Sequence, residues 1–150
     1  MIRDDIKAAL VSAMKSGDKP AVGTMRMLSS ALKNRDIELR TASVQPDDDA
    51  LVTEVLQKMI KQRRESAELY TTGNRPELAA TETAEIVTLE RFLPTQMSED
   101  EAKAAIAAII AELGANSMKD MGRVMAEVKQ RHATSIEPAK ASALVKAARA

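Results

Sequence analysis

Residues Leu51–Leu93, LVTEVLQKMIKQRRESAELYTTGNRPELAATETAEIVTLERFL, decide the fold. Leu51, Val52, Val55, Leu56, Met59, Ile60, Ala67 and Tyr70 recur in steps of three and four, which puts them on one side of a long helix. Lys61 and Glu65, and Arg64 and Glu68, stand four apart on the opposite side, the spacing of ion pairs on a solvated helix face. Thr72-Gly73-Asn74 interrupts the pattern, and Pro76 suits the first turn of a new helix. Leu78, Ile86, Leu89 and Leu93 form the second stripe, and Pro94 ends it. So short a turn makes the two helices antiparallel neighbours. Two charges interrupt the apolar stripes. Arg63 follows Met59 by four and Leu56 by seven, and Glu82 lies midway between Leu78 and Ile86. Both therefore face inward, and the expectation is a structural ion pair in which Arg63 meets Glu82 or Glu85 while Arg64 stays outside.

Composition supports a helical reading outward from this pair. Apolar residues make up 45% of the 150, yet there is one Tyr, one Phe and no Trp. The core must be assembled from Ala, Leu, Ile, Val and nine Met, whereas strands favour β-branched and aromatic residues. The absence of cysteine excludes disulfides, thiol nucleophiles and thiolate metal sites, and a lone His132 does not make a zinc site. No apolar run approaches the ~20 residues of a membrane span, and no signal-peptide core opens the chain. The expectation is a soluble cytoplasmic protein with no membrane partner, no cofactor and no metal.

Before the central pair, Ile2, Ile6, Leu10 and Met14 mark a helix that Gly17 closes. Met25, Leu28, Leu32 and Leu39 mark the next, with Arg35 inserted in the stripe. Pro46 followed by Asp47-Asp48-Asp49 starts the long helix, because acids favour the positive end of the helix dipole. After it, Leu93-Pro94-Thr95-Gln96-Met97 separates residues 1–95 from residues 96–150. Ser98 with Glu101 is a capping box, and Gly114 ends that helix. Ser117, with Asp120 three later, caps the next, and Pro138 opens the last. The expected helices span 2–16, 19–40, 46–72, 75–93, 98–113, 117–131 and 137–149, with no sheet.

The charges cancel over the whole chain, 22 basic against 22 acidic, but not locally. Residues 96–113 hold Lys103 against Glu99, Asp100, Glu101 and Glu112, a net −3. Residues 114–150 hold Lys119, Arg123, Lys129, Arg131, Lys140, Lys146 and Arg149 against Asp120, Glu127 and Glu137, a net +4. A basic stretch of this kind meets anionic partners or simply faces water. Gly122, inside an expected helix, costs about 1 kcal/mol relative to Ala. It either permits tight packing within the protein or lets a partner's backbone approach. No phosphate loop, nucleophile elbow or metalloprotease motif is present, so no catalytic residue is assigned.

Several short motifs together resemble the GatB/YqeY family, in its free-standing YqeY-like form. They are Arg26-Met27-Leu28, Ala31-Leu32-Lys33, Ile37-Glu38, Lys61-Gln62-Arg63-Arg64-Glu65-Ser66, Arg75-Pro76, Glu85-Ile86 and Phe92-Leu93-Pro94, then Lys119-Asp120-Met121-Gly122-Arg123-Val124-Met125 and Leu144-Val145-Lys146. Glu137-Pro138 departs from the Asp-Gly common in that family. The resemblance implies an all-α fold in two helical units, a longer N-terminal bundle and a small three-helix C-terminal GatB/YqeY domain. Similar domains form the tail of the GatB subunit of the glutamine-dependent tRNA amidotransferase, where they help hold tRNA. This implies a tRNA-binding or amidotransferase-associated accessory protein, in contact with tRNA, a tRNA-handling complex or another protein partner. The alternatives are a carbon–nitrogen ligase using glutamine as amide donor, within such a complex, and a helical protein–protein adaptor. The nucleic-acid contact is expected at Lys119, Gly122, Arg123, Lys129, Arg131, Lys140 and Lys146.

Overall fold

A computed structural model describes residues 1–115 and 118–149, with side chains for all of these except 118 and 149. The described residues contain helices and turns and no strand. Their contacts form two compact units, Met1–Leu93 and Pro94–Ala150.

The first unit holds α1 (Ile2–Ser16), α2 (Lys19–Glu38), a short 3₁₀ turn (Leu39–Thr41), α3 (Asp48–Thr72) and α4 (Pro76–Glu90). The α3–α4 pair is its most extensive helix contact. Leu28, Val52, Leu56 and Leu89 are completely or almost completely shielded from water, with Ile6, Leu32, Ile60 and Ile86 around them. Each such side chain contributes about 1.5–3 kcal/mol by leaving water. A smaller cluster of Ala13, Ala21 and Met25 packs beside Phe92.

The helix ends follow local chemistry. Gly17 takes the left-handed conformation at φ 72°, and the Asp18 N–H returns to the Ala13 carbonyl at 3.0 Å. Asp18 then caps α2 by accepting the Ala21 N–H. The three consecutive aspartates at the start of α3 do three different jobs. Asp47 caps its own helix through the Ala50 N–H, Asp48 accepts from Arg3, and Asp49 accepts the Ile2 N–H and so caps α1. With Asp47 as the cap, α3 starts at Asp48, two residues after the expected 46. At the other end of α3 the left-handed residue is Asn74, φ 59°, while Gly73 stays right-handed.

Two expected details differ. α4 stops at Glu90 and finishes in a turn, with the Phe92 and Leu93 N–H groups bonded three residues back; the residue before a proline is pushed out of the helical region. Arg64 does not pair with Glu68 along its own helix. It reaches Glu90 on α4 at 2.9 Å, because the antiparallel neighbour brings that carboxylate alongside.

The second unit holds α5 (Glu99–Leu113), a 3₁₀ turn (Met118–Asp120), α6 (Met121–His132) and α7 (Pro138–Arg149). Its core is Ala102, Ile106, Ile109, Val124, Val128, Ile136, Ala141 and Val145. The expected capping box is present in both directions: the Glu101 N–H donates to Ser98 Oγ at 3.1 Å, and the Ser98 N–H donates to Glu101 Oε1 at 3.0 Å. The expected Ser117 cap lies outside the described residues. Asp120 occupies the cap position of α6, so the α-helical part begins at Met121, after the 3₁₀ turn.

Candidate nucleic-acid interface

Gly114 ends α5 in the left-handed conformation, φ 61°, and the Ala115 N–H returns to the Ile110 carbonyl at 3.1 Å. The start of α6 lies against the end of α5. Arg123, in the first turn of α6, donates from Nη2 to the Leu113 carbonyl at 3.2 Å and to Asp120 Oδ1 at 3.1 Å. The guanidinium thus satisfies one of the carbonyls that a helix end leaves open. Arg131, in the last turn of α6, lies between two carboxylates, with Nη1 2.7 Å from Glu112 and Nε 2.7 Å from Glu127. Its hydrogen bonds to Glu112, and then to Glu127, hold its pKa above the ordinary arginine range.

The lysines differ from the arginines. Lys119, Lys129, Lys140 and Lys146 are all exposed, and among the described residues none pairs with a carboxylate. Gly122 is exposed as well, and a Cβ added there meets no atom within 4 Å. Tight packing inside the protein therefore does not explain this glycine. The candidate positions fall into three groups. Lys119, Gly122 and Arg123 sit at the start of α6. Lys129 and Arg131 sit at its far end, roughly 10 Å further along at 1.5 Å per residue. Lys140 and Lys146 are on α7.

Of the two expected partners of the inward-facing Arg63, Glu82 and Glu85, the structure pairs it with Glu85. Arg63, 8% exposed, donates its Nε–H to Glu85 Oε2 at 2.9 Å and an Nη1–H to the Met59 carbonyl at 3.3 Å. Glu82 is half-buried one turn earlier on α4. A second charged junction was not singled out by the sequence reading. Arg3 bonds Asp36 through both Nη atoms at 3.0 Å and Asp48 through Nε and Nη2, tying α1 to α2 and α3. Asp48, then Asp36, holds the Arg3 guanidinium pKa above its ordinary range. The available signal was its place three residues before Ile6, on the edge of the buried stripe.

Among the described residues there is no group of three or more His, Cys, Asp and Glu side chains able to hold a metal ion, and no helix is long and apolar enough to cross a membrane.

Three relatives resemble the chain. An uncharacterized protein of Schizosaccharomyces pombe is 34% identical over 94 residues, 62% of this chain and 72% of its own. The protein of Pyrenophora tritici-repentis named Altered inheritance of mitochondria protein 41, mitochondrial, is 31% identical over 132 residues, 84% of this chain and 70% of its own. The protein of the same name from Lachancea thermotolerans is 29% identical over 111 residues, 73% of this chain and 58% of its own. The Yqey-like protein family matches residues 3–148, essentially end to end, and the chain belongs to that family.

Proposed function

We propose that this protein is a tRNA-binding accessory factor that works with a tRNA-handling complex of the amidotransferase kind, through a C-terminal three-helix domain at residues 96–150. The observation that carries the reading is the open space around Gly122, flanked by exposed Lys119 and Arg123. A glycine that costs helix stability and packs against nothing is accounted for by a close approach from outside. The net +4 of residues 114–150 and the four exposed lysines, which pair with no carboxylate among the described residues, give an anionic backbone something to meet. Contacts run to phosphates and to shape, because no aromatic platform exists for stacking bases. The chain alone performs no turnover in this reading. Incubation with glutamine, ATP and misacylated tRNA leaves the tRNA unchanged; amide formation without an added subunit overturns that part. The setting we assign is the cytoplasm, and two relatives named mitochondrial make cell fractionation its direct test.

The binding test is a tRNA titration at several salt concentrations. Wild type should show a log–log salt slope of about −0.7 to −0.9 per phosphate neutralised. Lys119→Ala with Lys129→Ala should lower affinity and flatten the slope, with the circular dichroism spectrum unchanged. Lys119→Ala with Arg123→Ala should do the same, at some cost to the α5–α6 junction. Absence of binding at low salt, or binding indifferent to these changes, refutes the site.

A further inference from the structure

A groove of about 300 Å³ opens in the second unit between the start of α5, the α6–α7 connection and α7. Its floor is apolar: Met97, Ala102, Ile136, Ala143 and Leu144. Hydrogen bonds to main-chain carbonyls fix its walls. The Met97 N–H donates to the Ser135 carbonyl at 2.8 Å, and Gln96 Nε2 donates to the Thr134 carbonyl at 2.7 Å. The groove is therefore a built feature of the unit. Its rim carries Glu99, which lies 3.4 Å from the exposed Lys103 ammonium, with Glu137 and Lys140. Glu137 is half-buried, and among the described residues no base pairs with it. Asp100 and Glu101 extend the acidic edge along the first turn of α5.

We infer that this groove docks a basic segment of a partner protein, with one bulky apolar side chain seated on the floor and Lys or Arg residues beside Glu99 and Glu137. Three features favour this occupant. The volume lies at the small end of ligand pockets, the room one large anchor takes. Met97 and Leu144 offer a surface able to adjust to an anchor's shape. With Lys103 counted, the edge holds Glu99, Asp100, Glu101 and Glu137 against Lys103 and Lys140, an excess of two acids that suits a cationic partner. The inference does not rest on the tRNA reading. It gives the unit a protein-facing groove in addition to the basic positions at 119–131.

The test uses the full chain and a short labelled peptide of Lys, Ala and Leu with one Phe, followed by fluorescence anisotropy. A matched peptide with Ser in place of Phe and Leu is the control. The expected result is saturable binding of the first peptide, at least about tenfold tighter than the control, as loss of a central anchor requires. Ala143→Phe, which fills the groove from an exposed position, should weaken binding by about tenfold without changing the melting temperature. Glu99→Lys with Glu137→Lys should weaken it further and remove its salt dependence. Equal binding of both peptides, or indifference to Ala143→Phe, overturns the inference. So does competition for the groove by a single-stranded RNA oligonucleotide that Ala143→Phe abolishes, since the occupant is then nucleic acid. The tRNA titration with the lysine variants is read separately, so each reading fails on its own measurement.

Discussion

Replacing Glu85 by alanine strands a guanidinium inside the first unit. Arg63 is 8% exposed, and its side chain has two acceptors, the Glu85 carboxylate at 2.9 Å and the Met59 carbonyl at 3.3 Å. Loss of one partner of a buried pair costs about 3–5 kcal/mol, because the other charge is left uncompensated. The Glu85 side chain is 24% exposed, so water replaces part of what it supplies. The loss therefore falls at the lower end, about 3 kcal/mol. For a chain of this size that lowers the melting temperature by roughly 6–12 °C, at about 2–4 °C per kcal/mol. Glu85→Gln keeps an oxygen acceptor and removes the charge, and should lose roughly half as much. Arg63→Met with Glu85→Leu removes both charges at similar volume and should recover most of the stability, because the desolvation cost disappears with them. Urea denaturation of the four proteins, with slopes compared to check two-state behaviour, measures the differences. A Glu85→Ala variant within about 0.5 kcal/mol of wild type, the usual range for surface changes, refutes the reasoning.

Other expectations concern single junctions. Arg3→Ala cuts the tie from α1 to Asp36 and Asp48 and should cost roughly 1–2 kcal/mol, since those carboxylates are partly hydrated; faster hydrogen exchange confined to α1 would mark the site. The capping box sets a pH dependence. Ser98 holds the Glu101 carboxyl below its ordinary pKa through its backbone N–H and its hydroxyl. The stabilisation is present at neutral pH and above the unfolded value, and is lost as pH falls through the folded one. The stability gap between wild type and Glu101→Ala should close on acidification below the ordinary carboxylate range, and a gap independent of pH contradicts it. Gly114→Ala should cost about 1–2 kcal/mol because φ is 61°. Gly122→Ala should stabilise the helix by up to about 1 kcal/mol, raising the melting temperature, and weaken tRNA binding; stabilisation with unchanged binding removes the case for a close approach at that position.

Apolar spacing made the helices legible. The stripe Val52, Leu56, Met59, Ile60 on α3 and the pair Ile86, Leu89 on α4 are the residues that pack together in the larger core. The glycine and serine signals also worked locally: Gly17 and Gly114 are left-handed, and Ser98 caps α5. Those features depend on a few neighbouring residues, so a linear reading reaches them. Choices between neighbouring partners were not legible. Glu82 and Glu85 stand three apart on α4, and which one meets Arg63 depends on how far the helix is rotated against α3. Arg64 illustrates the same limit, since its spacing to Glu68 suits an ion pair but the antiparallel helix brings Glu90 closer to hand. The three aspartates at 47–49 read as one capping signal, yet two of them serve α1, whose approach no local pattern records.

The candidate interface was legible as charge and illegible as availability. Seven bases among residues 114–150 look alike in the sequence. In the structure Arg123 bonds a carbonyl at the end of α5, and Arg131 lies between Glu112 and Glu127, so a phosphate must compete with existing partners to use either. Lys119, Lys129, Lys140 and Lys146 are exposed and have no such competition among the described residues. A lysine ammonium is a compact charge on a flexible stem, whereas a guanidinium already committed to a carboxylate gives up that bond to bind elsewhere. Salt-dependent binding should accordingly follow the lysines. The arginines should show mainly in stability, where removing Arg131 frees two carboxylates on adjacent helices to repel each other. An alanine scan that reads affinity and melting temperature on the same proteins separates the two roles: lysine variants should move the first and arginine variants the second.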